Sequence, residues 1–66
     1  MRKKGLIMKY KYNVGDYIKC IFATGIILDR CWDERLELRL YKIELTQGDN
    51  KGKIPWFAEH ELELLG

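Results

Sequence analysis

Residues 35–45 read RLELRLYKIEL, and this stretch decides the fold class. Leucines alternate with charged residues up to Leu40, and apolar residues alternate with Lys42 and Glu44 from Tyr41 onward. Leucines and charged residues also suit a helix. However, a period of two kept over eleven residues is typical of a β-strand with one face in the core. The stretch therefore predicts a strand.

The apolar phase of this strand flips between Leu40 and Tyr41. A flat strand cannot carry such a flip, because a slip of one residue moves every following side chain to the opposite face. We therefore predict a bulge or a sharp bend near Leu40 and Tyr41. Strands bent in this way are what a small closed barrel needs.

Turn residues divide the rest of the chain into short pieces. Breaks are expected at residues 13–16, 23–25, 32–34 and 47–52. The predicted strands are 17–22, 26–31, 35–45, 53–57 and 62–65, with one helical turn at Glu59–Glu61 before the last. Pro55 lacks an amide donor and belongs on an edge strand or at a bulge. Five short strands favour a barrel or a sandwich, and 66 residues are too few for a full sandwich.

The alternation also predicts which side chains form the core. Cys20 falls in phase with Ile18 and Phe22, so all three are expected on one buried face, and Tyr41 fits the core by its own phase. Trp56 and Phe57 are adjacent, so an ideal strand turns only one of them inward. Cys20 and Cys31 are expected to be reduced, since no secretory signal is evident.

The positive charge is concentrated at the start of the chain. Of the 12 basic residues, five precede the first acidic residue, Asp16, which leaves seven basic against ten acidic residues from position 12 onward. We predict a basic, flexible arm at residues 1–12 and one domain at residues 13–66. Met8 reads like a natural start, so residues 1–7 are expected to be an upstream extension. The five basic residues are Arg2, Lys3, Lys4, Lys9 and Lys11.

The residue inventory argues against catalysis. The chain has no serine, and His60 is its only histidine. Serine-hydrolase chemistry is therefore excluded, and the two cysteines lack the tight spacing of a zinc site. We expect no enzymatic activity, no metal and no cofactor. No apolar run is long enough for a membrane helix, so a cytoplasmic protein without a membrane partner is expected.

Four segments follow one another as in SH3-like small barrels. They are residues 14–18 (VGDYI), 25–27 (GII), 41–43 (YKI) and 56–62 (WFAEHEL). The chain resembles that superfamily, and its closing segment is similar to small prophage-encoded SH3-like proteins of Bacillus. The resemblance implies an all-β, five-stranded SH3-like barrel with a short helical turn before the last strand, acting in the host cytoplasm if phage-encoded. The signature of polyproline-binding SH3 domains is missing, so no ligand residues are transferred from them.

Two functions remain open from the sequence. The first is a protein-binding module, in the phage setting a factor acting on a host protein, with its binding residues among Tyr17, Trp32 and Trp56 because aromatics are frequent in binding hot spots. These three could also form an aromatic cage for methylated lysine. The alternative is a nucleic-acid-binding barrel, whose arm tracks phosphates and stacks bases. The arm residues are Lys9, Tyr10, Lys11 and Tyr12.

Overall fold

The computed structural model describes residues 9–66. Residues 1–8, and with them most of the predicted arm, lie outside the described residues. The described chain forms β1 (Tyr17–Cys20), β2 (Ala23–Asp33), β3 (Leu38–Leu45), β4 (Trp56–Ala58), a 3-10 turn (Glu59–Glu61) and β5 (Glu63–Leu64). The predicted all-β class, the five strands and the helical turn before the last strand are confirmed.

The five strands form one antiparallel sheet in the order β4-β3-β2-β1-β5. The two edge strands are nevertheless consecutive in the chain and are joined through the 3-10 turn alone. A 3-10 turn rises only about 2.0 Å per residue, so this connection falls well short of the roughly 19 Å between the edges of a flat five-stranded sheet. The sheet must therefore curl until its edges approach one another. No ladder joins β4 to β5 within the described residues, so the sheet is strongly curled but not closed.

The core lies on the inner face of the curled sheet, called here the core face. Most of its residues come from alternate positions of β1, β2 and β3. Tyr12, which precedes β1, and Leu62, which precedes β5, complete it. Cys20 and Tyr41 are buried, as predicted. The buried cluster comprises Tyr12, Ile18, Cys20, Ile27, Tyr41, Ile43, Leu45 and Leu62.

The first predicted strand is two residues too long. β1 ends at Cys20, which pairs with Ala23, so Ile21 and Phe22 form a two-residue turn into β2. Phe22, predicted for the core, is instead 94% exposed. The chain reverses before the third alternate position is reached. The predicted break at residues 23–25 is likewise wrong, because these residues open β2.

The predicted irregularity lies on the partner strand. β3 runs through Leu40 and Tyr41 without interruption, and the extra residue is Leu28 of β2, which falls between the pairs Ile27–Ile43 and Asp29–Lys42. The apolar phase flips although β3 is regular, because apolar side chains on both of its faces are at least half-buried here. Tyr41 is buried on the core face, whereas Leu40 is half-buried on the outer face, where it pairs with Ala58.

The hairpin between β2 and β3 turns later than predicted. Trp32 and Asp33 still belong to β2, and the turn occupies residues 34–37. The Asp33 carboxylate accepts hydrogen bonds from the backbone N–H groups of Arg35 (2.9 Å) and Leu36 (3.0 Å). This side-chain capping satisfies the turn and delays the start of β3.

The segment before β1 belongs to the core rather than to the arm. Tyr12 is 3% exposed, and its hydroxyl donates to the carbonyl oxygen of Leu62 at 3.0 Å. The Tyr41 hydroxyl donates to Glu59 Oε2 and accepts from the Tyr12 backbone N–H at 3.3 Å. Glu59 Oε2 also accepts from the Lys11 backbone N–H at 2.8 Å. The packed domain therefore includes Tyr12, which the sequence assigned to the arm.

We predict that Gly25→Ala destabilises the protein. A Cβ at Gly25 would lie 2.5 Å from Ile43 Cγ2 and 2.6 Å from the Glu44 carbonyl oxygen, so β2 and β3 would have to separate. The free energy of unfolding, measured by urea denaturation, should fall by about 1–3 kcal/mol. Gly66→Ala, whose Cβ meets no atom within 4 Å, is the control. Equal stability of the two variants would contradict the close approach.

A second prediction concerns alkaline pH. Burial, together with the hydrogen bond to Glu59, raises the pKa of Tyr41 to about 12 from the ordinary 10.0. Between these values the unfolded state releases a proton that the folded state keeps, so the free energy of unfolding falls as the pH rises. Tyr41→Phe should remove this part of the alkaline stability loss, while Tyr17→Phe should leave it in place. Identical pH dependence of the wild type and Tyr41→Phe would refute the assignment.

Candidate functional site

An apolar groove lies between the β1–β2 turn and the segment that leads into β4. Its volume is about 560 Å³. Leu45 and Cys20 form its buried floor, so the groove continues the core outward at the end of the sheet where the core face is open. The lining residues are Cys20, Phe22, Ala23, Leu45, Asn50, Lys53, Ile54, Pro55 and Phe57.

Backbone pairing holds the two walls of the groove apart. On one side, the pair Cys20–Ala23 closes the turn that projects Phe22. On the other side, the carbonyl oxygens of Lys53 and Pro55 accept hydrogen bonds from the N–H groups of Leu45 and Ile43, both at 2.9 Å. These bonds fix residues 53–55 alongside β3 before β4 begins. Both walls are therefore held by the sheet and not by mobile side chains.

The turn preferences of the residues do not explain why Ile21 and Phe22 occupy this exposed turn. Two-residue hairpin turns favour Gly, Asn and Asp, which adopt positive φ readily. Ile21 and Phe22 belong to none of these types, and neither residue has a positive φ. Both side chains are exposed, Phe22 almost completely. Burying such a side chain contributes about 1.5–3 kcal/mol, which this fold leaves unused.

The charged side chains that line the groove and a neighbouring depression are lysines. Lys53 is the only charged residue that lines the groove. A second depression of about 280 Å³ also borders Phe22 and is lined by Lys19 but by no carboxylate. Phe22 therefore borders two depressions, one lined by Lys53 and the other by Lys19, which pairs with Glu63 of β5.

The structure does not bring the predicted binding aromatics together. Tyr17 lies in β1, is half-buried and donates from its hydroxyl to Thr24 Oγ1 at 3.1 Å. Trp56 lies in β4, is 46% exposed and pairs with Lys42 on the outer face, and two strands separate β4 from β1. Trp32 pairs with Arg39 on the core face. The three rings therefore cannot form one aromatic cage, and none of them lines the groove.

The described part of the predicted arm is partly packed. The Tyr12 ring lies in the core and offers no face to a base. The Tyr10 ring is half-buried, meets the Tyr41 ring edge-on at 6.1 Å and carries the Arg30 guanidinium 4.7 Å above it. Lys9 and Lys11 are exposed. Arg2, Lys3 and Lys4 lie outside the described residues.

The thiol and imidazole groups are not arranged for nucleophilic attack. Cys20 and His60 border the same shallow depression, but Cys20 Sγ donates to the Ala23 carbonyl oxygen at 3.4 Å. Burial raises the pKa of the Cys20 thiol, which favours its unreactive protonated form. Cys31 is exposed, and the two cysteines are free. Residues 9–66 contain no group of three or more His, Cys, Asp or Glu side chains placed to hold a metal ion.

Comparison with protein-family models, curated proteins and solved structures finds no match to this chain. Within the part that the structure describes, no helix is both long and apolar enough to cross a membrane.

Sequence reasoning missed the two side chains that form the groove walls. The alternation of the first strand predicts Phe22 in the core, and Ile54 belongs to no pattern that predicts a site. A turn at residues 21–22 carries none of the usual turn residues, so only the pairing of Cys20 with Ala23 reveals it. The one available signal was Ile54-Pro55, an apolar residue before a proline, which favours an extended exposed segment.

Proposed function

We propose that this chain is a small, non-catalytic binding module that holds an apolar segment of a protein partner in the groove. The single observation that carries the proposal is Phe22, a phenylalanine that is 94% exposed on a turn beside an apolar groove. Exposed apolar surface next to a concave site is typical of an interaction site. Aromatic anchors in such sites supply most of the energy of a protein interface.

The chemistry of the rim narrows the partner. Lys53 and Lys19 each line a depression that Phe22 also lines, and no carboxylate lines either depression. The complementary ligand is an extended segment with a large apolar side chain flanked by Asp or Glu. The groove of about 560 Å³ matches a short segment rather than a whole domain surface.

The absence of activated chemical groups supports binding over catalysis. In the described residues, the buried Cys20 thiol has a raised pKa and the exposed His60 has no hydrogen bond to it. No acid–base pair faces the groove, whose only ionisable linings are Cys20 and Lys53. The site offers contact surface and charge, but no nucleophile.

The finer architecture and setting belong to the same proposal. The strongly curled five-stranded sheet, with its 3-10 turn between the edge strands, supports the SH3-like barrel that the sequence resembles. The similarity of the closing segment to prophage-encoded proteins makes a host protein in the cytoplasm the expected partner.

Selection from a random peptide library displayed on phage tests this function. The immobilised protein should enrich peptides with a large apolar residue next to Asp or Glu. Phe22→Ser should weaken binding of an enriched peptide by on the order of 2 kcal/mol, because it removes an anchor. Affinity should change only weakly between low and moderate salt.

Leu36→Ser is the matched control, because Leu36 is also exposed on a hairpin turn but does not line the groove. Both variants should keep the melting temperature and the circular dichroism spectrum of the wild type. Enrichment of no peptide, or an equal loss of affinity in the two variants, would rule out the groove as the site.

A further inference from the structure

Strand alternation separates the charges at the far end of the β2–β3 hairpin. Arg30 pairs with Tyr41 and Trp32 pairs with Arg39, so these side chains share the core face. Asp29, before Arg30, and Asp33, after Trp32, occupy outer-face positions, where they pair with Lys42 and Leu38. Residues 13–66 therefore carry a local basic surface, although acidic residues outnumber basic ones in this range.

Both arginines of this surface lie against aromatic rings. The Arg30 guanidinium carbon is 4.7 Å from the centre of the Tyr10 ring, and that of Arg39 is 5.7 Å from the Trp32 ring. Such stacking holds the planar fork in place while its edges stay available for oxygen acceptors. We call these four residues, Tyr10, Arg30, Trp32 and Arg39, the Arg–aromatic face.

In the contacts of the described residues, neither guanidinium group has a negatively charged partner. Arg30 Nη1 donates to the Tyr12 carbonyl oxygen at 2.9 Å and to Asn13 Oδ1 at 3.2 Å, both neutral acceptors. Arg39 Nε is buried and has no hydrogen-bond partner among residues 9–66. Buried guanidinium donors are normally paired, so no acceptor among residues 9–66 holds the Nε end of the Arg39 side chain.

The spacing suits successive anionic groups. Arg39 lies opposite Trp32, and Arg30 lies two residues from Trp32 on the same face, so the two arginines are diagonal neighbours about 7–8 Å apart at their backbones. Lys9 and Lys11 flank Tyr10, which rests on Arg30. Lys9 and Lys11 are both exposed, and Lys11 Nζ lies 5.5 Å from the centre of the Tyr12 ring.

We propose that the Arg–aromatic face binds the phosphate backbone of single-stranded nucleic acid. Guanidinium forks match phosphate oxygens, and aromatic rings beside them allow bases to stack. The face is two strands wide, which offers a track for one strand rather than for a duplex. This activity is distinct from the apolar groove, because Arg39 precedes Leu45 on the groove floor by six residues of β3, or about 20 Å.

Fluorescence anisotropy with a labelled oligothymidine and the full chain tests the proposal. Arg39→Gln should raise Kd about tenfold, as expected for loss of a charge-assisted hydrogen bond. It should also reduce the slope of log K against log salt by about 0.7, the value for one phosphate contact on a single strand. Lys42→Gln is the matched control: it removes the same charge from the same strand, on the outer face. Its Kd and slope should equal those of the wild type.

Two further measurements separate this site from non-specific charge. In Trp56→Phe, Trp32 is the single tryptophan, and its fluorescence should change when oligothymidine binds. Arg39→Lys, which keeps the charge but loses the planar fork, should bind more weakly than the wild type. Equal losses in Arg39→Gln and Lys42→Gln, tighter binding to duplex DNA, or equal binding to polyglutamate would overturn the proposal. So would the absence of binding at low salt. Phe22→Ser should bind oligothymidine normally, so failure of the groove proposal stays distinguishable.

Discussion

The fold depends on one buried phenol that has to keep its hydrogen bonds. Tyr41 is fully buried in β3, and its hydroxyl is satisfied by Glu59 of the 3-10 turn and by the Tyr12 backbone. A buried hydroxyl without partners costs about 1–3 kcal/mol. The chain before β1, strand β3 and the connection between the two edge strands are therefore held together at one point, and this contact favours the curled sheet.

The packing around Tyr41 covers one end of the core face and leaves the other end open. There, Leu45 and Cys20 are covered only by the walls that Phe22 and residues 53–57 provide, and an apolar groove results. The hairpin also extends past Tyr41 in the opposite direction, which carries Trp32 and Arg39 beyond the core. The same curvature thus produces an apolar surface at one end and a basic, aromatic surface at the other.

The sequence predicts the parts of the fold that depend on periodicity. The period of two predicts strand β3 and the burial of Cys20 and Tyr41. The same alternation explains why Phe57 packs against the core while the adjacent Trp56 is exposed. Features that depend on pairing between strands could not be predicted. Examples are the turn at Ile21 and Phe22, which has no turn residues, and the bulge at Leu28. The pairing register also places Trp32 and Trp56 on opposite faces of the sheet. The sequence alone could not show that these predicted binding residues lie apart.

A double-mutant cycle on the free energy of unfolding, with Tyr41→Phe and Glu59→Ala, tests the central claim most directly. If the hydroxyl–carboxylate contact ties β3 to the edge connection, the two substitutions should show a coupling of about 1.5–3 kcal/mol, the range for hydrogen bonds to charged groups. Effects that add within about 0.5 kcal/mol would show that the two groups act independently, and would contradict the account.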